Sequence, residues 1–364
     1  MRWQVLRVLG YVALVCLSSW AKDKSSQSSN SATKADVQTY SISFKQNDPV
    51  PGMGAALAIR LPFECTSDGT VFITMVQPLG TGSQPANLAQ FSPSFLLTSI
   101  GTSGEAHSFP LNQVPELYDV SDVDHFVSDS KVIFLLRAAP GSGSGISSGS
   151  ESPAKVEHHL YAVAFNREGT YQKTTQLDEA FDIYRIGLFP SGNYLAWGFD
   201  QNDHAPQLAI LKEDGSVLEY LTVPKGDLPD KVIGKSADAK GPVLAPAQLI
   251  GHGHSIYVVQ LKTDFPILEV SEAGTIRAIR ARLQDGLHIK RLIPSDTNLY
   301  AWADGQPGRI YELDAQSRDI LRQFSVGEGQ AAANVACVHD DKFLSFESKS
   351  EKLIPLVGTA ELGP

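Results

Sequence analysis

Short apolar runs, each about four to eight residues long, alternate with turn residues along most of the chain, a pattern of strands rather than helices. The stretch from Ile186 to Pro224 shows it most clearly. Ile-Gly-Leu-Phe is followed by Pro190-Ser191-Gly192, then Tyr194-Leu-Ala-Trp197, then a polar loop at Asp203-His204-Ala205-Pro206. Gln207-Leu-Ala-Ile-Leu-Lys212 comes next, then Glu213-Asp214-Gly215, then Val217-Leu-Glu-Tyr-Leu221. Turn signals between four apolar runs predict a four-stranded antiparallel meander.

Weaker copies of this unit recur. Their opening turns stack as Cys65-Thr-Ser-Asp-Gly, Phe126-Val-Ser-Asp-Ser, Phe189-Pro-Ser-Gly-Asn, Gly251-His-Gly-His-Ser, Ile293-Pro-Ser-Asp-Thr and Val338-His-Asp-Asp-Lys. Second halves follow around Phe95–Phe109, Leu160–Tyr171, Glu213–Gly215, Ile267–Ile279 and Ile310–Leu321, and the last copy keeps only Leu353–Val357. The spacing of roughly 43 to 62 residues is that of four-stranded propeller blades. The longer spacings carry flexible insertions, Gly141–Ser150 in the second repeat and a polar connector after the third. A pair of strands hidden in 225–249 would make seven blades instead of six.

The last repeat lacks an outer strand, and the chain opens with an orphan alternating run, Val37–Phe44. One inference accounts for both: the early strand completes the sixth sheet and closes the ring, which otherwise leaves two edges unpaired. The Pro-Ser-Gly-Asn-Tyr-Leu-Ala-Trp and Leu-Lys-Glu-Asp-Gly-Ser-Val-Leu turns resemble repeats of the six-bladed β-propeller superfamily, of the NHL and TolB-like kinds, over residues 37–364. The fold class expected is therefore all-β: a six-bladed β-propeller of four-stranded antiparallel blades, closed by an N-terminal strand. The resemblance brings no catalytic residue with it. The Gly-His/Trp-Asp pairing of WD40 repeats and the spaced Ser-x-Asp-x-Gly-x-x-Trp box of sialidases are absent from the sequence.

The first 21 residues read as a cleaved export signal: Arg2 and Arg7, an apolar Val8–Leu17, and Ser19-Trp20-Ala21 as a small-x-small cleavage site. That apolar run is short of the roughly 20 residues a membrane span needs. Ala13-Leu14-Val15 before Cys16 resembles a lipobox with Val15 out of place, which makes lipid anchoring the lesser expectation. Residues 22–36 are a Ser-rich tether. An exported chain without an integral membrane domain, periplasmic or extracellular, is expected. Formal net charge is −10, which argues against nucleic-acid binding. A monomer binding a protein or small molecule is the expectation.

The start of each first strand lines the channel of a propeller. Arg60, Asp122, Asp124, Arg185, Gln248, Lys290 (or its neighbour Arg291) and Asn334 occupy those offsets. They suggest a polar, partly basic funnel, with Arg185 as a fork for a carboxylate; the plainer alternative is water-facing strands that pair their own charges. His252 and His254 have the spacing of a strand-borne metal pair, although His254 falls in a turn. Asp122, Asp124, Asp182 and Asn334 are the acids and amides a lactonase- or lyase-like propeller would use to hold a divalent metal such as calcium or zinc. No nucleophile elbow or calcium loop occurs, so a non-enzymatic binding module with no cofactor is the first expectation. Tyr194, Trp197, Tyr257, Tyr300 and Trp302 read as packing between sheets rather than sugar platforms. Cys65 and Cys337 hold matching positions in the first and last repeats, where a disulfide would lock the ring.

Overall fold

The computed structural model describes residues 37–50, 58–76, 96–101, 105–111, 114–141, 157–203, 205–228, 247–260, 265–280, 287–303, 308–314, 316–317, 319–326, 335–349 and 352–363. The signal and tether expected at 1–36, Cys16 included, lie outside them, as do all but the first residue of the insertion expected at 141–150 and, from the stretch 225–249 that could hide a further pair of strands, residues 229–246.

The described residues form antiparallel meanders. β2 (Ala58–Cys65), β3 (Val71–Val76), β4 (Leu96–Ile100) and β5 (Ala106–Ser108) make the first four-stranded sheet. β6 (Leu117–Val127), β7 (Lys131–Pro140), β8 (His159–Asn166) and β9 (Tyr171–Gln176) make the second. β10 (Asp182–Leu188), β11 (Tyr194–Phe199), β12 (Pro206–Leu211) and β13 (Val217–Leu221) are the meander read from the sequence. β14 (Ala247–His252), β15 (Ser255–Gln260), β16 (Ile267–Ser271) and β17 (Ile276–Ile279) form the fourth.

The remaining strands correct the expectation of six separate sheets. β18 (Ile289–Pro294), β19 (Leu299–Ala303), β20 (Arg309–Leu313) and β21 (Ile320–Val326) share one eight-stranded sheet with β22 (Cys337–His339), β23 (Lys342–Lys349), β24 (Lys352–Leu362) and β1 (Gln38–Gln46). The order is β18-β19-β20-β21-β1-β24-β23-β22. The cause is β1, which uses both edges. It runs antiparallel to β24, with Ile42 opposite Ala360, and parallel to β21, with Tyr40 opposite Phe324. The last strand is also longer than Leu353–Val357, because β1 gives its far end a partner.

Burial follows position in the meander. β8 and β11 are buried on both faces over most of their length, whereas the outer β9, β13 and β17 are largely exposed. That is why the middle strands read as continuous apolar runs and the outer ones as polar or alternating. Apolar clusters fill the spaces between neighbouring sheets, for example Phe72, Phe109, Phe134 and Phe165 between the first and second. First strands meet first strands: β10 packs against β6 and β14, β14 against β18, and β22 against β18 and β2. Four-stranded meanders with their first strands gathered on a common axis constitute a β-propeller.

Turns staple each meander to the next. Gly69, Gly169, Gly192, Gly215 and Gly274 have φ between 77° and 101°, and each donates its N–H to the carbonyl three residues back. A side chain is strained in that conformation, so Ser-Gly, Asp-Gly and their relatives recur there. Arg167, in the β8–β9 turn, donates to Asp68 in the β2–β3 turn at 2.6 and 2.8 Å, and also to Thr66 and Thr70. Burial would raise the Asp68 carboxyl, but these hydrogen bonds outweigh it and hold it well below the usual carboxylate range. Lys173 reaches Glu213 at 3.1 Å, Asn193 reaches Glu272 at 3.1 Å, and His252 Nε2 donates to the Ser295 carbonyl at 2.9 Å.

The seam between chain ends is the most heavily tied. Arg322 pairs with Glu312 and with Asp341 (2.9 Å), and its guanidinium lies over Tyr40 and Phe324. His339 Nδ1 donates to the Ser67 carbonyl at 2.9 Å. Cys65 and Cys337 are joined by a disulfide with Cα atoms 5.3 Å apart, across 272 residues of sequence.

Candidate ligand-binding channel

Four first strands carry a register shift: between Arg60 and Glu64 in β2, Asp122 and Asp124 in β6, Ile183 and Arg185 in β10, and Ile289 and Arg291 in β18. A bulge re-aims the side chain beside it. Asp124, Arg185 and Arg291 stand at equivalent points, opposite Leu135, Trp197 and Trp302 on the second strands. A charged residue thus follows the register shift in each of these three strands.

Asp124 and Arg185 form a pair between neighbouring first strands. Arg185 Nη1 donates to Asp124 Oδ1 at 2.8 Å, and the Ile186 N–H approaches Oδ2 at 3.4 Å. Glu64 lies close by from β2, with His125 Nε2 3.5 Å from its Oε2, an oxygen that is buried without a hydrogen bond. Burial and the Asp124 charge push the Glu64 carboxyl up to about 8, against the pull of Arg185. Burial likewise raises Asp124, to about 6, and Arg185 limits the rise. Near neutral pH this cluster holds a proton on Glu64 and can either donate or accept a hydrogen bond.

Glu64 borders a cavity on the axis together with Gln248, Ile250, Ile293 and Ala336. Its volume is about 20 Å³, room for roughly one water. Organic ligands need on the order of 300 Å³ or more, so anything larger has to sit at a face of the channel rather than within this cavity.

Of the residues expected to line the channel, Gln248 borders the cavity, and Asp124 and Arg185 pair between β6 and β10. Arg185 is not the open fork expected, because Asp124 already engages it. Lys290 is half-buried on β18. Arg60 and Asp122 sit on β2 and β6, but their side chains, like Asn334 altogether, lie outside the described residues. His252 and His254 do not make a common site: His252 points to Ser295, while His254 is exposed in the turn. Among the described residues no group of three metal-binding side chains occurs. Tyr194, Trp197, Tyr257 and Tyr300 are buried, as packing residues are.

Glu64 was not expected from the sequence, and Arg291 was named only as an alternative to Lys290. Glu64 had one signal, a lone acid inside Leu-Pro-Phe-Glu-Cys. Arg291 is 7% exposed, and among the described residues its Nε and Nη2 have no hydrogen-bond partner. Burial pulls its guanidinium down to about 10.

No family model matches the chain, and no curated protein does. Among solved structures it is similar to the β-propeller domain of the Trilobed protease from Pyrococcus furiosus, which has an open velcro topology. Identity there is 10%, with 85% of this chain and 83% of that one covered and a TM-score of 0.40. It is also similar to YCF48 bound to D1 peptide, at 9% identity, 89% and 96% coverage and a TM-score of 0.40. A chain of the Mitotic Checkpoint Complex matches at 10% identity, 96% and 98% coverage and a TM-score of 0.38. The β-propeller class rests on the strand order described above.

Proposed function

We propose that this chain is an exported six-bladed β-propeller that works as a binding module, taking a protein or small ligand at one face of its central channel. The eight-stranded sheet counts as two blades in this reading, β18–β21 and β22–β24 with β1, because the only strand pairing that joins them among the described residues is the parallel one between β1 and β21. The observation that carries the binding role is the convergence of Glu64, Asp124 and Arg185 from three first strands beside an axial cavity sized for one water. Charged groups are costly to bury, and a ligand at the mouth would give these groups a use that packing does not. The reading includes a monomer released by signal cleavage, outside the cytoplasm, with no cofactor and no nucleic-acid partner.

The test compares wild type with a Glu64→Gln/Asp124→Asn variant in a melting-temperature screen of organic acids, amines, sugars and short peptides. Some compound class should raise the wild-type melting temperature and leave the variant unmoved. Metal analysis runs alongside. Stoichiometric calcium or zinc, with melting lowered by chelator, would instead favour a lactonase- or lyase-like hydrolase.

A further inference from the structure

We infer that the outer edge of β13 docks an extended strand of another protein, one that carries a lysine or arginine between two apolar residues. The outer strand of a sheet ends in a row of unpaired N–H and C=O groups, which a further strand can take up. Among the described residues β13 pairs only with β12. The other outer strands that end a sheet are guarded. β5 has three residues. β9 turns Gln172 and Lys173 to solvent, and β17 turns Arg277 and Ala278; a cation on an edge discourages pairing. β13 instead exposes Leu218 (51%) and Tyr220 (47%) on either side of Glu219.

The protein itself shows what suits such an edge. Besides Leu218 and Tyr220, the exposed large apolar side chains among the described residues are Leu321 on β21 and Leu362 on β24. Both of those strands have β1 alongside, an extended run in which Tyr40, Ile42 and Phe44 alternate with Ser41 and Ser43. β13 is the third strand of this kind, and it has no companion among the described residues. Leu218 and Tyr220 share one face of β13, and the Phe181 ring lies 6.0 Å from that of Tyr220. A strand alongside would meet them with apolar residues at alternate positions. Glu219 faces the other way, beside Gly274 of the β16–β17 turn, and its carboxylate has no ion pair or hydrogen bond among the described residues. The cations on the other edges are engaged: Lys173 by Glu213 at 3.1 Å, Arg277 by the Gln316 carbonyl at 3.2 Å. The residue placed opposite Glu219 is therefore a cation. Two copies of β13 paired about its centre would instead set Glu219 against its own equivalent, which like charges disfavour.

The test measures, by fluorescence anisotropy, binding of labelled Thr-Thr-Val-Lys-Val-Thr-Thr and of its counterpart with a central glutamate to the full chain. Wild type should prefer the lysine peptide by about tenfold, and Glu219→Lys should reverse the preference. Leu218→Ser/Tyr220→Ser should weaken the lysine peptide by a similar factor. These substitutions change exposed side chains, so both variants should melt close to wild type. Two further lysine peptides are N-methylated on odd or on even residues, which removes the backbone donors of one edge or the other; one of the two should fail to bind and the other should bind as before. Glu64→Gln/Asp124→Asn should bind the lysine peptide as wild type does, which separates this edge from the channel. No binding, equal affinity for the lysine and glutamate peptides, full binding by both methylated peptides, or loss of binding in the channel variant would each overturn the inference. So would a wild-type dimer in sedimentation that Leu218→Ser/Tyr220→Ser dissociates, since a second copy would then hold the edge.

Discussion

Replacing Cys65 and Cys337 together by alanine tests the closure of the ring. The disulfide they form spans 272 residues. In the chain-entropy model a cross-link of that length removes about 5–6 kcal/mol of freedom from the unfolded chain at 25 °C, and measured values for native disulfides are typically 2–4 kcal/mol. The folded state loses little in compensation. Both sulfurs are buried, and alanine leaves only a small void at each. The bridge also has company at the seam, since β1 pairs with β24 and His339 donates to Ser67. The double variant should therefore fold with its seam intact, yet be less stable by about 2–5 kcal/mol. Urea unfolding followed by the fluorescence of Trp197 and Trp302 measures this. The slope against urea should also steepen, because an uncrosslinked unfolded chain exposes more surface. Reduced wild type should match the variant. A loss below about 1 kcal/mol, or two thiols that titrate in unfolded, unreduced wild type, would refute the reasoning.

Glu64 gives a pH signature. Its carboxyl rises from 4.5 to about 8 on folding, so the stability it contributes is full below 4.5 and drains away as pH climbs towards 8. Glu64→Gln imitates the protonated form, and its stability relative to wild type should rise across that window by a few kcal/mol; a constant difference in urea midpoints would contradict this. Arg185→Met strands Asp124 beside Glu64 and should cost about 3–5 kcal/mol near neutral pH, less in acid, with Asp124→Asn recovering most of it in a double-mutant cycle. At Gly198 an added Cβ would lie 1.8 Å from the Asp182 carbonyl oxygen, whereas at Gly226 nothing lies within 4 Å. Gly198→Ala should therefore lose about 3 kcal/mol or more, and Gly226→Ala about 1, as read by thermal melts.

The meanders were legible because their turns are written in Gly, Asp, Ser and Pro. Pro190-Ser191-Gly192 and Glu213-Asp214-Gly215 mark the hairpins between β10 and β11 and between β12 and β13. The orphan early strand was legible as well, since a lone alternating run needs an edge. Its second pairing was not: nothing in Tyr40-Ser-Ile-Ser-Phe44 says that β21 will come alongside, merging two expected sheets into one. The channel was half legible. Charged residues near the starts of the first strands could be named, but a bulge leaves no mark in sequence and shifts which residue turns inward. That is why Arg291 proved the buried partner of the Lys290-Arg291 pair and why Glu64 escaped notice. Arg185 was found, but its engagement by a residue 61 positions away is a tertiary fact.

Closure of the ring requires β1 to be seated between β24 and β21. Hydrogen exchange of the backbone amides in residues 38–46 measures this directly. With β1 so paired, they should exchange as slowly as those of the buried β11, released only when the whole propeller unfolds. Exchange at free-chain rates in 38–46, while the other sheets stay protected, would contradict it.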